Sequence, residues 1–205
     1  GMTALAAPNG TDTVNIRSRG FGEFSVDIGD TEPRPEEAGT SAALIRGVCG
    51  AFIESGNVFG GFDAEVESEI PAGSGLSSSA AFEVLIGRII DRLFFGKTVP
   101  PAALARMAQH AENVYFGKPC GLMDQLVCAV GGIVSASFAD PKAPQYRQID
   151  YDFAKSGHAL AIIECGAGHE NLTADYAQIT KDMRLIAVDL GHERLCEATA
   201  AEFYS

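Results

Sequence analysis

The sequence predicts an α+β fold built as one domain around a single core. Two observations carry this. Strand-type runs come first, helix-type runs cluster in the middle and strand-type runs return, with no repeat, low-complexity tract or linker between them. A chain of 205 residues also buries about 70% of its unfolded surface, enough to need no disulfide or metal staple.

The elements follow in order. Residues 12–28 hold two short alternating runs, V-N-I and F-S-V-D-I, around a glycine-containing bend, which predicts a hairpin. The charged stretch GDTEPRPEE, 29–37, reads as a solvated loop. From Ala38 to Glu54 the residues Ala42, Ile45, Val48, Cys49, Phe52 and Ile53 recur at helical spacing, and Gly56-Asn57 ends the helix. FDAEVESEI, 62–70, alternates strictly and predicts an exposed-edge strand with one acidic face. AAFEVLIGRIIDRLF reads as a mostly buried helix ending near Gly96, and Pro100-Pro101 opens another that runs to about Asn113. A short helix over 122–130 follows, with Leu122 and Met123 read as core, and Gly131-Gly132 ends it. IVSASF (133–138) and YRQI (146–149) pair as a hairpin, ALAIIE (159–164) is a further core strand, and 172–203 forms two helices broken near Gly191.

Composition excludes several classes. Lys and Arg total 15 against 27 Asp and Glu, a net charge of -12, which argues against nucleic acid as a partner. No apolar run reaches the length of a membrane span. The start GMTALAAPNG lacks the basic and apolar regions of a signal peptide, and Gly1-Met2 reads as the remnant of a protease site. Five cysteines (Cys49, Cys120, Cys128, Cys165, Cys196) form no C-x-x-C pair, which predicts reduced structural thiols and a cytoplasmic protein. Zinc is the weaker alternative, because the four histidines form no ligand pair at helical spacing.

The strongest local signal is Pro71-Ala-Gly-Ser-Gly-Leu-Ser-Ser-Ser79-Ala-Ala, between strand and helix. Gly73, Ser74 and Gly75 permit positive φ and close approach of a ligand, and Ser77, Ser78 and Ser79 open the helix. Free N–H groups, hydroxyls and the positive helix end make an anion site, whereas an ordinary N-cap serine in a tight turn uses the same residues. The loop is not a Walker A motif, a dinucleotide fingerprint or a G-x-S-x-G elbow.

P-x-G-x-G-L-S-S-S-A-A resembles the central phosphate-binding motif of the GHMP kinases. HAENVYFGKPCGLMDQLVCAVG, at His110 to Gly131, is more specific and resembles the galactokinase segment with a glutamate ahead of a C-G-x-M-D-Q core. GHENLTADYAQITKDM is similar to the H-x-L-x-x-x-x-Y-x-x-R stretch of the same family. The resemblance covers nearly the whole chain. It implies a ribosomal protein S5 domain 2-like N-terminal GHMP kinase domain over 1–165, with the phosphate loop at 71–80, and the helical start of a C-terminal domain over 166–205.

It also implies the reaction, transfer of the γ-phosphoryl group of ATP to the anomeric hydroxyl of galactose. The nucleotide phosphates would lie against Gly73, Ser74, Gly75, Leu76, Ser77, Ser78 and Ser79. Mg2+ would be held by Ser79 and Glu112, Asp124 would be the base and touch the anomeric hydroxyl, and Gly121 and Tyr176 would contact the sugar. Phosphoryl transfer needs charge neutralisation and a positioned hydroxyl, which these residue types can supply. Read without the resemblance, Asp124 is equally a helix-terminal aspartate and Glu112 a solvated glutamate. Cys120 reads as packing rather than a nucleophile.

The chain departs from the pattern in four places. The opening R-x-P-G-R-x-N-L-I-G-E-H-x-D-Y segment and the late G-x-G-x-G-G motif are missing. Gly73-Ser74-Gly75 replaces a triple glycine. Gln178, Ile179 and Thr180 stand where the family is arginine-rich. The chain is therefore expected to be the central piece of such a kinase, inactive alone, with an unpaired sheet edge that promotes self-association. Two alternatives stay open: a GHMP kinase for another substrate, such as a heptose or an isoprenoid alcohol, and a non-catalytic nucleotide and sugar sensor.

Overall fold

The computed structural model describes residues 1–19, 22–70, 75–140, 143–163 and 173–204. Four strands form one mixed sheet: β1 (Met2–Pro8), β2 (Thr13–Ser18), β3 (Gly22–Asp27) and β4 (Phe62–Ser68), in the order β1-β4-β2-β3. β1 runs antiparallel to β4, with Ala4 opposite Val66, and β4 runs parallel to β2, with Ala64 opposite Ile16. β2 and β3 form the expected hairpin.

The alternation in β4 works as predicted. Phe62, Ala64 and Val66 are buried while Asp63, Glu65 and Glu67 face solvent. Its place in the sheet differs from expectation: β4 is interior, not an edge. β1 was not foreseen because MTALAAP is rich in alanine and poor in β-branched residues, and pairing with β4 makes it a strand. The acidic outer face of β4 then meets Arg17 of β2 and Arg19 just beyond it, at 3.5 Å from Glu65 and 3.1 Å from Glu67. These pairs are exposed and contribute little stability.

The inner face is covered by helices α1 (Ser41–Glu54) and α2 (Ser78–Phe94), with α3 (Pro101–His110) and α4 (Met123–Val130) packed behind α2. Ile45, Val48, Phe52, Phe62, Ile86, Ile90, Leu104 and Leu126 are fully buried in the shared core. Thr40 caps α1 by accepting from the Ala43 N–H at 3.3 Å. Gly87 lets α2 and α3 approach closely, since a Cβ there would collide with the Leu104 side chain.

The charged loop at 29–37 is less solvated than its composition suggests. Arg46 of α1 is buried and donates to both carboxylate oxygens of Glu37, each at 2.8 Å, and to the backbone carbonyl of Asp30. The hydrogen bonds and charge of Arg46 hold the Glu37 carboxyl below its ordinary range.

α3 does not stop at its last regular turn. It continues as a wider π-helical turn over Ala111–Phe116, and Gly117, at φ 82, ends it. β5 (Ile133–Ser137) and β6 (Gln145–Ile149) form the second hairpin as expected. α5 (Thr173–Asp189) and α6 (Ala200–Phe203) flank Gly191, at φ 79.

Two expectations are corrected. Residues 159–163 form no strand, and Leu160, Ile162 and Ile163 are exposed, because no described strand offers them a ladder to join. Met123 is 59% exposed rather than core, because it is the first residue of α4, at the helix end that opens onto the surface.

Candidate active site

The site forms where the N-terminus of α2, the π turn and the start of α4 meet. Small residues on α1 set the position of the π turn. A Cβ on Gly47 would lie 2.7 Å from the Ala111 Cα, and one on Gly50 would lie 2.7 Å from the Tyr115 hydroxyl. The backbone carrying Glu112 therefore presses directly on α1. Widened turns of this kind are frequent at functional sites.

Glu112 is 2% exposed, not the solvated helix glutamate that its sequence context suggests. Its two oxygens have different partners. Oε1 accepts from the Ser79 hydroxyl at 3.0 Å and lies 3.4 Å from the Lys118 ammonium. Oε2 accepts from the Gln125 amide at 2.7 Å. The same Gln125 nitrogen donates to Glu83 Oε2 at 3.2 Å and reaches the Cys120 sulfur at 3.5 Å.

Glu83 and Gln125 are both fully buried. Burial, with the neighbouring charge of Glu112, pushes the Glu83 carboxyl up to about 8, and its Oε1 has no partner. The Cys120 thiol is pushed up by burial and by Glu112, which fits packing rather than nucleophilic chemistry.

Asp124 sits in the first turn of α4 and accepts from the Ser77 hydroxyl through Oδ2 at 2.5 Å. The approach to it is pinned at Cys120. The Cys120 N–H donates to Asn113 Oδ1 at 2.7 Å and its carbonyl accepts from Gln109 at 3.1 Å. Beside it Gly121 faces open space.

Ser77, Ser79, Glu112, Gly121 and Asp124 line one cleft of about 700 Å³, with Gly75 at one end and Ile179, Thr180 and Arg184 of α5 on the far wall. A comparably sized hollow on the outer face of the sheet is lined by groups already paired, such as Arg17 with Glu23 at 2.8 Å and Asn15 with Asp63 at 2.9 Å.

The structure thus brings Ser77, Ser79, Glu112, Gly121 and Asp124 together. Ser78 opens α2, and Leu76 is 41% exposed beside the cleft. Gly75 takes φ 72, as a loop that lets a ligand approach requires. Gly73 and Ser74 lie outside the described residues. So does the side chain of Tyr176, whose backbone is in α5.

Sequence reasoning missed Glu83, Gln125 and Lys118. Glu83 shares its apolar helix with Asp91, so its charge alone did not single it out; only its place four residues after Ser79, on the same face, pointed to the site.

The donor set suits a hard cation. Ser79 and Glu112 place two oxygens 3.0 Å apart at a helix N-terminus, which fits Mg2+ that keeps water and phosphate oxygens in its shell. Among the described residues no group of three or more His, Cys, Asp or Glu side chains could hold a metal by itself. No described helix is long and apolar enough to cross a membrane.

Comparison with known proteins bears on the family and the fold. Residues 43–132 match the GHMP kinases N terminal domain. A galactokinase from Streptomyces lividans is 34% identical over 177 residues, which is 85% of this chain and 43% of that protein. A galactokinase from Pyrococcus furiosus is 31% identical over 170 residues, 82% of this chain and 46% of that protein. The chain therefore spans less than half the length of these relatives. The crystal structure of Lactococcus lactis galactokinase complexed with galactose superposes with a TM-score of 0.77 at 24% identity, covering 100% of this chain and 53% of that one. Methanococcus jannaschii mevalonate kinase gives 0.61 at 14% identity, covering 98% and 65%, so this fold is shared with kinases of other substrates. By motif, sequence and fold, the chain belongs to the GHMP kinase superfamily, with galactokinase-like homology over part of the length of those proteins.

Proposed function

We propose that this chain carries the phosphate-binding and base-bearing part of an ATP-dependent kinase that phosphorylates galactose at its anomeric hydroxyl. One observation supports this above the rest: two hydroxyl–carboxylate pairs, Ser79 with Glu112 and Ser77 with Asp124, converge on one cleft at the N-terminus of α2.

The roles in this reading are as follows. The α2 N-terminus, Gly75 and the neighbouring loop (Gly73, Ser74, Leu76, Ser77, Ser78, Ser79) hold the phosphates of ATP through N–H groups and the helix dipole. Ser79 and Glu112 would hold Mg2+, which supplies charge neutralisation on the phosphates when bound. Asp124 accepts the proton of the sugar hydroxyl as its oxygen bonds to the γ-phosphorus and the bond to the bridging oxygen breaks, releasing ADP. Gly121 and Tyr176 contact the sugar. Residues 1–165 form the N-terminal domain and 166–205 begin the next.

Calorimetry on the chain tests the nucleotide part. Mg·ADP is expected to bind, and Ser79→Ala or Glu112→Gln to weaken it at least about 10-fold without changing metal-free ADP binding. Equal affinity with and without Mg2+ would remove Ser79 and Glu112 from the metal role. The isolated chain is expected to transfer no phosphate, since it spans less than half the length of the galactokinases it matches; turnover by the isolated chain would contradict this.

Ile179 and Thr180 line the cleft beside Arg184, at positions where the family pattern is arginine-rich, which favours a second reading: a related sugar as the true acceptor. A panel of hexoses and heptoses separates the two. The outer edges of β1 and β3 have no strand partner among the described residues, and Leu5 on β1 is 79% exposed, so self-association through an edge is proposed. A monomer by sedimentation at high concentration would refute it.

A further inference from the structure

Ser77 occupies the N-cap position of α2, where a serine ordinarily turns its oxygen onto the N–H groups of the first turn. It makes no such bond. Its backbone is left-handed, at φ 55 and ψ 45, a conformation that residues other than Gly, Asn and Asp seldom hold. Among the described residues only Ser77 and Lys97 are non-glycine residues with positive φ. The hydroxyl that is withheld from the helix donates instead to Asp124 Oδ2 at 2.5 Å, within the range of a charge-assisted hydroxyl–carboxylate bond. The two residues are 47 apart in sequence and belong to different helices.

From this geometry we infer that Ser77 is a positioning residue for Asp124. The Asp124 backbone is already fixed from the other side. Its neighbour Gln125 is fully buried and tied to Glu83 and Glu112. What remains free is the torsion of the Asp124 carboxylate, and the Ser77 hydroxyl removes that freedom by engaging Oδ2. Oδ1 is then the oxygen left to receive the proton of a substrate hydroxyl. The left-handed turn aims Ser77 across the cleft rather than along its own helix. A backbone in the ordinary cap conformation would direct the same hydroxyl to the α2 N–H groups and leave Asp124 unpartnered. This inference rests on the reading of Asp124 as the proton acceptor. It assigns the Ser77 hydroxyl a task distinct from the phosphate contact that the Ser77 backbone N–H makes in that reading.

The test compares Ser77→Gly, Ser77→Ala and Asp124→Asn in the protein at its full natural length. Glycine tolerates φ 55, so Ser77→Gly removes the hydroxyl while easing the backbone, and its melting temperature is expected to match or exceed that of Ser77→Ala. Both Ser77 variants are expected to lower kcat about 10- to 100-fold, the scale of a misplaced catalytic group, with the KM for ATP within about 2-fold of wild type. A kcat that is unchanged in a folded Ser77→Gly protein overturns the inference. So does a rise of about 10-fold or more in the KM for ATP with kcat retained, which would make Ser77 a phosphate ligand. Asp124→Asn is the control: if it keeps full activity, the reading of Asp124 fails instead. Independently of turnover, a crystal structure of the Ser77→Gly chain is expected to show the Asp124 carboxylate in a different rotamer. A carboxylate that keeps its place without the hydroxyl would also overturn the assignment.

Discussion

Replacing Glu83 with glutamine should stabilise the chain above neutral pH and slightly destabilise it in acid. Glu83 is fully buried, its Oε1 has no partner, and its surroundings push the carboxyl up to about 8 from an ordinary 4.5. Burial is the main cause, Glu112 and Asp124 add repulsion, and the Gln125 amide and Lys118 pull the other way. The sign follows directly. In the unfolded chain the carboxyl loses its proton near 4.5, while in the folded chain it keeps it to about 8. Its contribution to stability is therefore fully present below the lower value, is lost as pH rises between the two, and stays lost above the higher one. At about 1.4 kcal/mol per pH unit, the loss reaches roughly 3 kcal/mol at neutral pH and roughly 5 kcal/mol at most. Glutamine has the same shape and does not titrate. It keeps an acceptor for Gln125 but adds a buried donor that costs about 1–3 kcal/mol. The net expectation is a gain of about 2–4 kcal/mol near pH 8.5 and a small loss near pH 4.5, with the two stability curves crossing between. Urea denaturation of both proteins across that range at constant ionic strength measures it. Parallel curves, or a less stable Glu83→Gln protein at pH 8.5, would refute the burial argument.

Two further predictions concern the frame around the site. Arg46→Met should lower stability by about 2–3 kcal/mol, because it removes both short bonds on Glu37, leaves that carboxylate to Arg34 at 3.6 Å and takes the clamp from the 29–37 loop; a shift in the urea midpoint equivalent to under 1 kcal/mol would show the pair to be dispensable. Gly47→Ala should cost about 1–3 kcal/mol by driving the π turn off α1. It should also weaken Mg·ADP binding, because Glu112 moves with that turn, and calorimetry that shows unchanged affinity would separate packing from function.

Much of the architecture was legible because simple periods carry it. The strict alternation of 62–68 reflects one buried face, which the structure follows, and the 3.6-residue spacing of 41–54 marks a helix that the structure buries on every side over 43–52, with Ile53 39% exposed. The pattern failed where pairing, not period, decides. β1 has little strand propensity of its own and exists because β4 accepts it, whereas 159–163 has the propensity and no described partner. Part of the site was legible through its motif residues: Gly75, Ser77, Ser79, Glu112, Gly121 and Asp124 line one cleft. Its support was not. Gln125 and Glu83 look unremarkable until tertiary packing buries them around Glu112, and no local pattern says that Ser77 will leave its own helix uncapped in favour of Asp124.

The most direct measurement of the central claim is phosphoryl transfer followed by 31P NMR, using the protein at its full natural length with Mg2+, ATP and galactose. The account predicts a new anomeric sugar phosphate together with ADP, and a rate that falls at least about 100-fold in Asp124→Asn. ATP and galactose left unchanged by the wild-type protein, or an Asp124→Asn protein as fast as wild type, would contradict it.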